Sequence, residues 1–72
     1  MLSQGAQVRL RKEALESCYP EFRARVDEKR VAVVEKVEPH HGAAYLVFPP
    51  VGRKREFRAG WFDPKSLDVV GS

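Results

Sequence analysis

Apolar and polar residues alternate with a two-residue period in the middle of the chain, which is typical of β-strands with one buried face. The three alternating runs occupy residues 30–38, 43–48 and 56–62. Pro39 and Gly42 separate the first two runs, and Pro49, Pro50 and Gly52 separate the second from the third. Because proline cannot donate a ladder hydrogen bond and glycine allows tight reversals, this pattern predicts a three-stranded antiparallel meander.

Two further strands are predicted on either side of the meander. Val8 and Leu10 alternate with two arginines shortly after Gly5, which predicts a first strand with one buried face. Residues 67–70 predict a short last strand. A single helical turn is predicted directly before it, because Asp63 can cap a helix whose first position is a proline.

Two of the predicted strands have an imperfect alternation. Residues 30–38 carry valines on both faces, so either both faces are partly covered or a β-bulge shifts the phase. Gly60 interrupts the third run of the meander and predicts a kink or bulge there. We expect Trp61 to be mostly buried, because a domain of this size needs a large aromatic side chain in its core.

Residues 12–29 do not alternate like a strand. Helix-forming residues predict one or two helical turns at 12–17, and Pro20 ends them and begins another turn. Phe22 and Val26 are four residues apart and would share one face of that turn. We expect an irregular segment attached to the core by Leu15, Tyr19, Phe22 and Val26.

Five short strands, a long first loop and a one-turn helix before the last strand resemble the SH3-like small β-barrels. The residues that carry the resemblance are 5–8, the central meander and 61–70. The resemblance implies a mainly β, five-stranded barrel that forms a single domain over residues 1–72. It also implies a binding module, since such barrels act through loops, exposed strand edges and basic surfaces.

The composition is that of an ordinary globular domain. Hydrophobic residues make up 43% of the 72 residues and charged residues 32%, which argues against disorder. No apolar run approaches the ~20 residues that span a bilayer, and the N-terminal residues lack the features of a signal peptide. A single cysteine excludes an internal disulfide, so we expect a cytoplasmic protein without membrane contact.

The net charge of +3 is concentrated in one short segment. Residues 53–58 contain four basic residues against Glu56, while the remaining charges of the chain cancel. Such a patch is typical of phosphate binding, and Tyr45 or Trp61 would stack on a base if exposed. The predicted nucleic-acid site comprises Arg53, Lys54, Arg55, Arg58, Arg9 and Arg11, with DNA and RNA both open. The alternative is a solvated hairpin tip whose charge only confers solubility.

A protein-binding module is the second hypothesis, and strand addition by a partner would need no side-chain motif. The candidate surface lies in the 12–29 segment and comprises Tyr19, Phe22, Arg23 and Arg25. Self-association through the same surface is a further alternative, since a small domain gains from burying more area. A short self-contained chain of this kind is also compatible with a mobile element or a phage.

No catalytic motif emerges from the sequence. His40 and His41 with Cys18 lack the paired spacing of a zinc site, and Cys18 has no recognisable base. Asp63 is better explained as a helix cap and Asp68 as an outward strand residue. We therefore expect no enzymatic activity, no cofactor and no metal.

Overall fold

Five strands and two short helices follow one another in the computed structural model, which describes residues 2–27 and 29–70. The strands are β1 Gln7–Leu10, β2 Ala32–Val37, β3 Ala44–Phe48, β4 Phe57–Phe62 and β5 Leu67–Val69. The helices α1 Lys12–Glu16 and α2 Pro20–Arg25 lie between β1 and β2, and a 3-10 turn at Pro64–Ser66 precedes β5. No helix in the described ranges is long and apolar enough to cross a membrane.

All strand pairings are antiparallel, and the strands lie in the order β4-β3-β2-β1-β5. The first strand therefore pairs with both β2 and β5, which brings Val8 beside Ala32 and Val69. This arrangement confirms the mainly β prediction, the five strands and the turn before the last strand. Because β4 and β5 end the sheet on opposite sides, the sheet is not closed, and the predicted barrel stays a prediction.

One face of the sheet forms the hydrophobic core. Its largest fully buried side chain is Phe48, which β3 places beside Leu46 and Ala44 on the same face. Val8 and Leu10 fill the core from β1, as their alternation with arginine predicts. The remaining core residues are Val26, Ala32, Val34 and Leu67. The core thus draws on every strand except β4, whose apolar residues are only partly buried, and on Val26 directly after α2.

Two bulges shift the phase of the sheet, which is one of the alternatives that the imperfect alternation leaves open in each strand. The first lies in β2 between Val34 and Lys36. The second lies in β4, where Ala59 is an extra residue between the pairs that Arg58 and Gly60 make with β3. Gly60 adopts φ +100°, a conformation that other residues rarely take.

The β4 bulge overturns the prediction that Trp61 is buried. Strict alternation would place Phe57 and Trp61 on the same face, but the extra residue reverses the phase between them. Phe62 consequently packs against the core, while Trp61 turns outward and remains 52% exposed.

The segment between β1 and β2 consists of two short helices, which confirms the predicted helical turns. Pro20 occupies the first turn of α2, and the helix places Phe22 against Phe48 and Phe57. Tyr19, however, is 81% exposed, so the prediction that it attaches this segment to the core is wrong. The reason is that phenylalanines already fill the space under α2, and Tyr19 lies outside them at the residue before the helix.

Candidate nucleic-acid interface

The basic residues at 53–55 lie on a tight reversal between β3 and β4, which we call the basic tip (Arg53, Lys54 and Arg55). Val51 and Lys54 exchange two backbone hydrogen bonds of 3.1 and 2.8 Å across the reversal. Gly52 between them has φ +56°, so glycine is favoured at this corner. All three basic side chains are consequently held at the end of the hairpin and exposed to solvent.

Some of the predicted site residues are paired with carboxylates. Arg58 donates two hydrogen bonds to Glu35, at 2.8 and 2.6 Å, and this carboxylate raises the pKa of the Arg58 guanidinium. Lys54 lies 3.9 Å from Asp27, and Arg11 donates to Asp68 at 3.0 Å. Among the described residues, Arg53, Arg55 and Arg9 make no ion pair. The predicted patch is thus partly neutralised, and its unpaired charge lies at the tip and on β1.

The fold brings β1 arginines to the end of the sheet that carries the basic tip. An open groove of about 640 Å³ runs beside the tip, with Val31, Val33 and Pro49 among its apolar lining. Lys29 lines this groove and also the neighbouring depression that contains Arg9 and Arg11. Lys29 therefore connects the two halves of the predicted site. Sequence reasoning missed it, because acidic neighbours at 27 and 28 cancel its charge locally.

An exposed aromatic pair lies on the outer face of the β3–β4 hairpin. The rings of Tyr45 and Trp61 are 5.4 Å apart and meet nearly edge to face, at 77°. Arg58 and Lys36 place their cationic groups 5.5 and 5.9 Å from the centre of the Tyr45 ring. We call these four residues the outer aromatic site. Proteins that bind single-stranded nucleic acids commonly combine aromatic rings with cationic groups.

A buried arginine fixes the position of the basic tip. Arg30 is only 8% exposed, and its guanidinium donates to the backbone carbonyls of Arg25 at 2.8 Å and Arg55 at 2.9 Å. A longer bond of 3.3 Å reaches Pro49, and the guanidinium lies 5.3 Å from the centre of the Phe48 ring. Arg30 thereby connects α2 with both ends of the tip. Sequence reasoning missed this role, because nothing local distinguishes Arg30 from an exposed arginine.

The predicted protein-binding residues are only partly brought together. Tyr19, Phe22 and Arg25 line one shallow depression with Phe57, whereas Arg23 does not line it. Phe22 is engaged in the aromatic cluster below, and Arg25 lies 5.5 Å from the centre of the Phe57 ring. The exposed residues that line this depression are Tyr19, Glu21 and Arg25.

The segments that contain the remaining chemical candidates are held by local hydrogen bonds. Glu38 accepts backbone hydrogen bonds from His40 at 2.7 Å and His41 at 2.5 Å, which lowers its pKa and orders the turn. Cys18 donates to the carbonyl of Ala14 at 3.3 Å, and burial raises the pKa of its thiol. Asp63 caps the 3-10 turn as predicted. Within 2–27 and 29–70, no three metal-ligating side chains form a cluster.

No protein-family model, curated protein or solved structure matches this chain. Its function must therefore be inferred from its own side chains. The most informative are the exposed Trp61 in the outer aromatic site and the cations around the basic tip.

Proposed function

We propose that this chain is a non-enzymatic module that binds single-stranded nucleic acid across the outer face of its β3–β4 hairpin. The observation that carries the proposal is Trp61, which is half exposed and packed edge-on against Tyr45. A small domain has few large aromatic side chains for its core, so exposing its only tryptophan has a cost in stability. Stacking on an unpaired base would bury that surface, typically with ~1–3 kcal/mol per base.

The basic tip supplies the electrostatic part of the interaction. Arg53 and Arg55 make no ion pair within the described residues, and arginine's planar fork suits phosphate oxygens. Lys29 and Arg9 extend the positive surface along the groove toward β1. Arg58 lies between the tip and the aromatic pair, although it must leave Glu35 to contact a phosphate. A bound nucleic-acid strand can therefore extend along the outer face from the Tyr45 and Trp61 rings to the basic tip.

The fold that we propose for this function is an SH3-like barrel. Support comes from the position of β1 between β2 and β5 and from the 3-10 turn before β5. Curling the sheet in this way leaves its outer face and loops free for a ligand. The free thiol of Cys18 is consistent with a cytoplasmic protein, which is the compartment we propose.

The decisive experiment uses Trp61 as its own reporter, since it is the only tryptophan. Titration with oligothymidine and with oligouridine should quench its fluorescence, whereas a duplex of equal length should have a weaker effect. Trp61→Ala, followed by anisotropy of a labelled strand, should weaken binding about tenfold, and Trp61→Phe should retain most of the affinity. Absence of quenching at low salt would contradict the proposal.

The role of the tip is tested by Arg53→Ala/Arg55→Ala. This variant should bind more weakly and should reduce the slope of log affinity against log salt by about 1.4, which is about 0.7 per lost phosphate contact on a single strand. The matched control is Arg23→Ala/Lys65→Ala, which removes the same charge from two exposed residues outside the tip groove. Equal losses in both double variants would show that only net charge matters and would reject the tip as a site.

A protein-binding role is the second candidate, favoured by the 81% exposure of Tyr19 above the depression that contains Arg25. It predicts that a partner or a second copy is lost in Tyr19→Ala, while Arg53→Ala/Arg55→Ala has no effect. Sedimentation of the wild-type chain over a concentration series tests self-association directly. Loss of oligonucleotide binding in Arg53→Ala/Arg55→Ala, with no effect of Tyr19→Ala, supports nucleic-acid binding instead.

A further inference from the structure

A second, smaller cavity lies under the basic tip on the side that faces α2. Its volume is about 250 Å³, and its charged lining residues are Arg25, Arg30, Lys54, Arg55 and Glu56. Four positive groups thus converge on one cavity with one carboxylate. A water molecule occupies about 30 Å³, so the space can hold a small anion together with several waters.

Arg30 is the unusual residue of this cavity, because its charge is buried. It is the one buried charged residue in the described part of the chain, and its three hydrogen bonds all go to backbone carbonyls. No carboxylate lies within 4 Å of its guanidinium among the described residues, and its buried Nε has no hydrogen-bond partner. A buried cation without a counter-charge is unfavourable, because it loses hydration and gains only dipoles in return.

We propose that this cavity is a phosphate site, in which the anion supplies the counter-charge that Arg30 does not receive from the described residues. Arg30 forms one wall, and Arg25 and Arg55 are exposed and can direct their guanidinium groups to the same phosphate. Arginine forks bind phosphate oxygens with paired, charge-assisted hydrogen bonds. Lys54 can join them, because its 3.9 Å pair with Asp27 is long and half exposed.

This inference rests on the proposed function for the source of the phosphate, which is the backbone or an end of the bound strand. A free phosphate compound offers the same chemistry, so the test must distinguish the two sources. The site is on the α2 side of the tip, away from Tyr45 and Trp61. Its occupation can therefore be followed separately from base stacking.

The first arm titrates inorganic phosphate into the uniformly 15N-labelled full chain, with chloride replaced so that ionic strength stays constant. Saturable shifts are expected at the amides of Arg25, Arg30 and residues 54–57. Arg25→Ala/Arg55→Ala should weaken phosphate binding at least about tenfold, because two charge-assisted contacts are lost. The control Arg23→Ala/Lys65→Ala should retain the affinity, and Glu56→Gln should raise it about two- to fivefold.

Substitution of Arg30 itself is avoided in this arm, because its carbonyl contacts make it a structural residue. The Arg25→Ala/Arg55→Ala variant leaves those contacts in place, since Arg30 bonds the backbone carbonyls of residues 25 and 55 and not their side chains. Amide shifts that do not saturate, or that are equal in Arg25→Ala/Arg55→Ala and in the control, would overturn the proposed phosphate site.

The second arm adds oligothymidine with and without a 5′-phosphate and reads both the cavity amides and Trp61 fluorescence. Shifts of the cavity amides that inorganic phosphate reverses support a site for the nucleic-acid strand. Phosphate binding without any oligonucleotide binding supports the cavity with a small phosphate compound as its occupant and rejects the proposed function. Trp61 quenching with unmoved cavity amides in both arms rejects the cavity and leaves the proposed function standing.

Discussion

The β3–β4 hairpin carries aromatic side chains on both faces, and the two groups differ in how far they are buried. On the inner face, Phe48 and Phe57 stack at 6.2 Å, and Phe22 from α2 closes over them. On the outer face, Tyr45 and Trp61 contact each other edge to face, Trp61 is half exposed, and the cationic groups of Lys36 and Arg58 lie near the Tyr45 ring. Aromatic content alone therefore does not indicate a core, because the register of the strand decides which rings are buried.

Each aromatic group also has its own arginine. Arg30 lies 5.3 Å from the Phe48 ring centre and is held by carbonyls, whereas Arg58 lies 5.5 Å from the Tyr45 ring centre and is held by Glu35. The inner arginine is buried and fixed between elements, and the outer one is exposed and can exchange partners. The inner group lies in the core, whereas the outer group includes the half-exposed ring of Trp61.

The largest expected difference between the two faces is in stability. Phe48→Ala should lower the free energy of unfolding by ~3–5 kcal/mol, because it leaves a cavity at the centre of the core. Trp61→Ala should lower it by about 1 kcal/mol, the loss of one partly exposed edge-to-face pair. Urea denaturation followed by far-ultraviolet circular dichroism measures both. Equal losses would show that Trp61 belongs to the core in solution.

Substitution of the inner arginine, Arg30, should likewise lower stability more than substitution of the outer arginine, Arg58. Arg30→Met should cost ~1–3 kcal/mol, because the carbonyls of residues 25 and 55 lose a buried donor. Arg58→Met should produce a clearly smaller shift in the denaturation midpoint, since its pair with Glu35 is exposed. The functional effects should be reversed, with Arg58→Met impairing oligonucleotide binding more than its small loss of stability explains. A larger midpoint shift for Arg58→Met would refute this division of roles.

The β4 bulge decides which aromatic side chains face outward, and its backbone strain can be tested at Gly60. Gly60→Ala should destabilise the domain by ~1–2 kcal/mol, because φ +100° is strained for any residue with a Cβ. Open space around the position means that sterics with neighbouring residues add little. The control is Ala59→Gly, which leaves the backbone of Gly60 unchanged. Thermal denaturation with Trp61 fluorescence shows whether the ring changes its environment, and an unchanged melting temperature in Gly60→Ala would contradict the strain.

The smallest expected effect concerns the turn that leads into the outer aromatic site. Hydrogen bonds from the His40 and His41 amides lower the pKa of Glu38, so its ionised form stabilises the fold. This contribution is complete above the ordinary glutamate pKa of about 4.3 and decreases as the pH falls through the lower value of the folded state. The denaturation midpoint of Glu38→Gln should therefore fall less than that of the wild type below about pH 4. Parallel pH profiles would contradict this assignment.

Local patterns predicted most of the fold, but they could not predict which face some residues occupy. The strands, both bulges and the capped turn before β5 follow from alternation, glycine and proline, and Asp63 caps as expected. The orientation of Trp61 does not follow, because it depends on which residue of β4 is extra, and pairing with β3 decides that. Lys29 and Arg30 were missed because acidic neighbours balance the charge of Lys29 in sequence and nothing local distinguishes Arg30 from an exposed arginine, whereas the fold brings both beside the tip.

The two outer strands of the sheet also bear on the chain's behaviour at high concentration. A long, flat and unpaired strand is a template for edge-to-edge stacking of copies into fibrils. Here one outer strand, β5, has only three residues, and the other, β4, is distorted by its bulge. The same extra residue that turns Trp61 toward solvent thus also makes that edge a poor template, so an exposed indole need not make the protein prone to fibril formation.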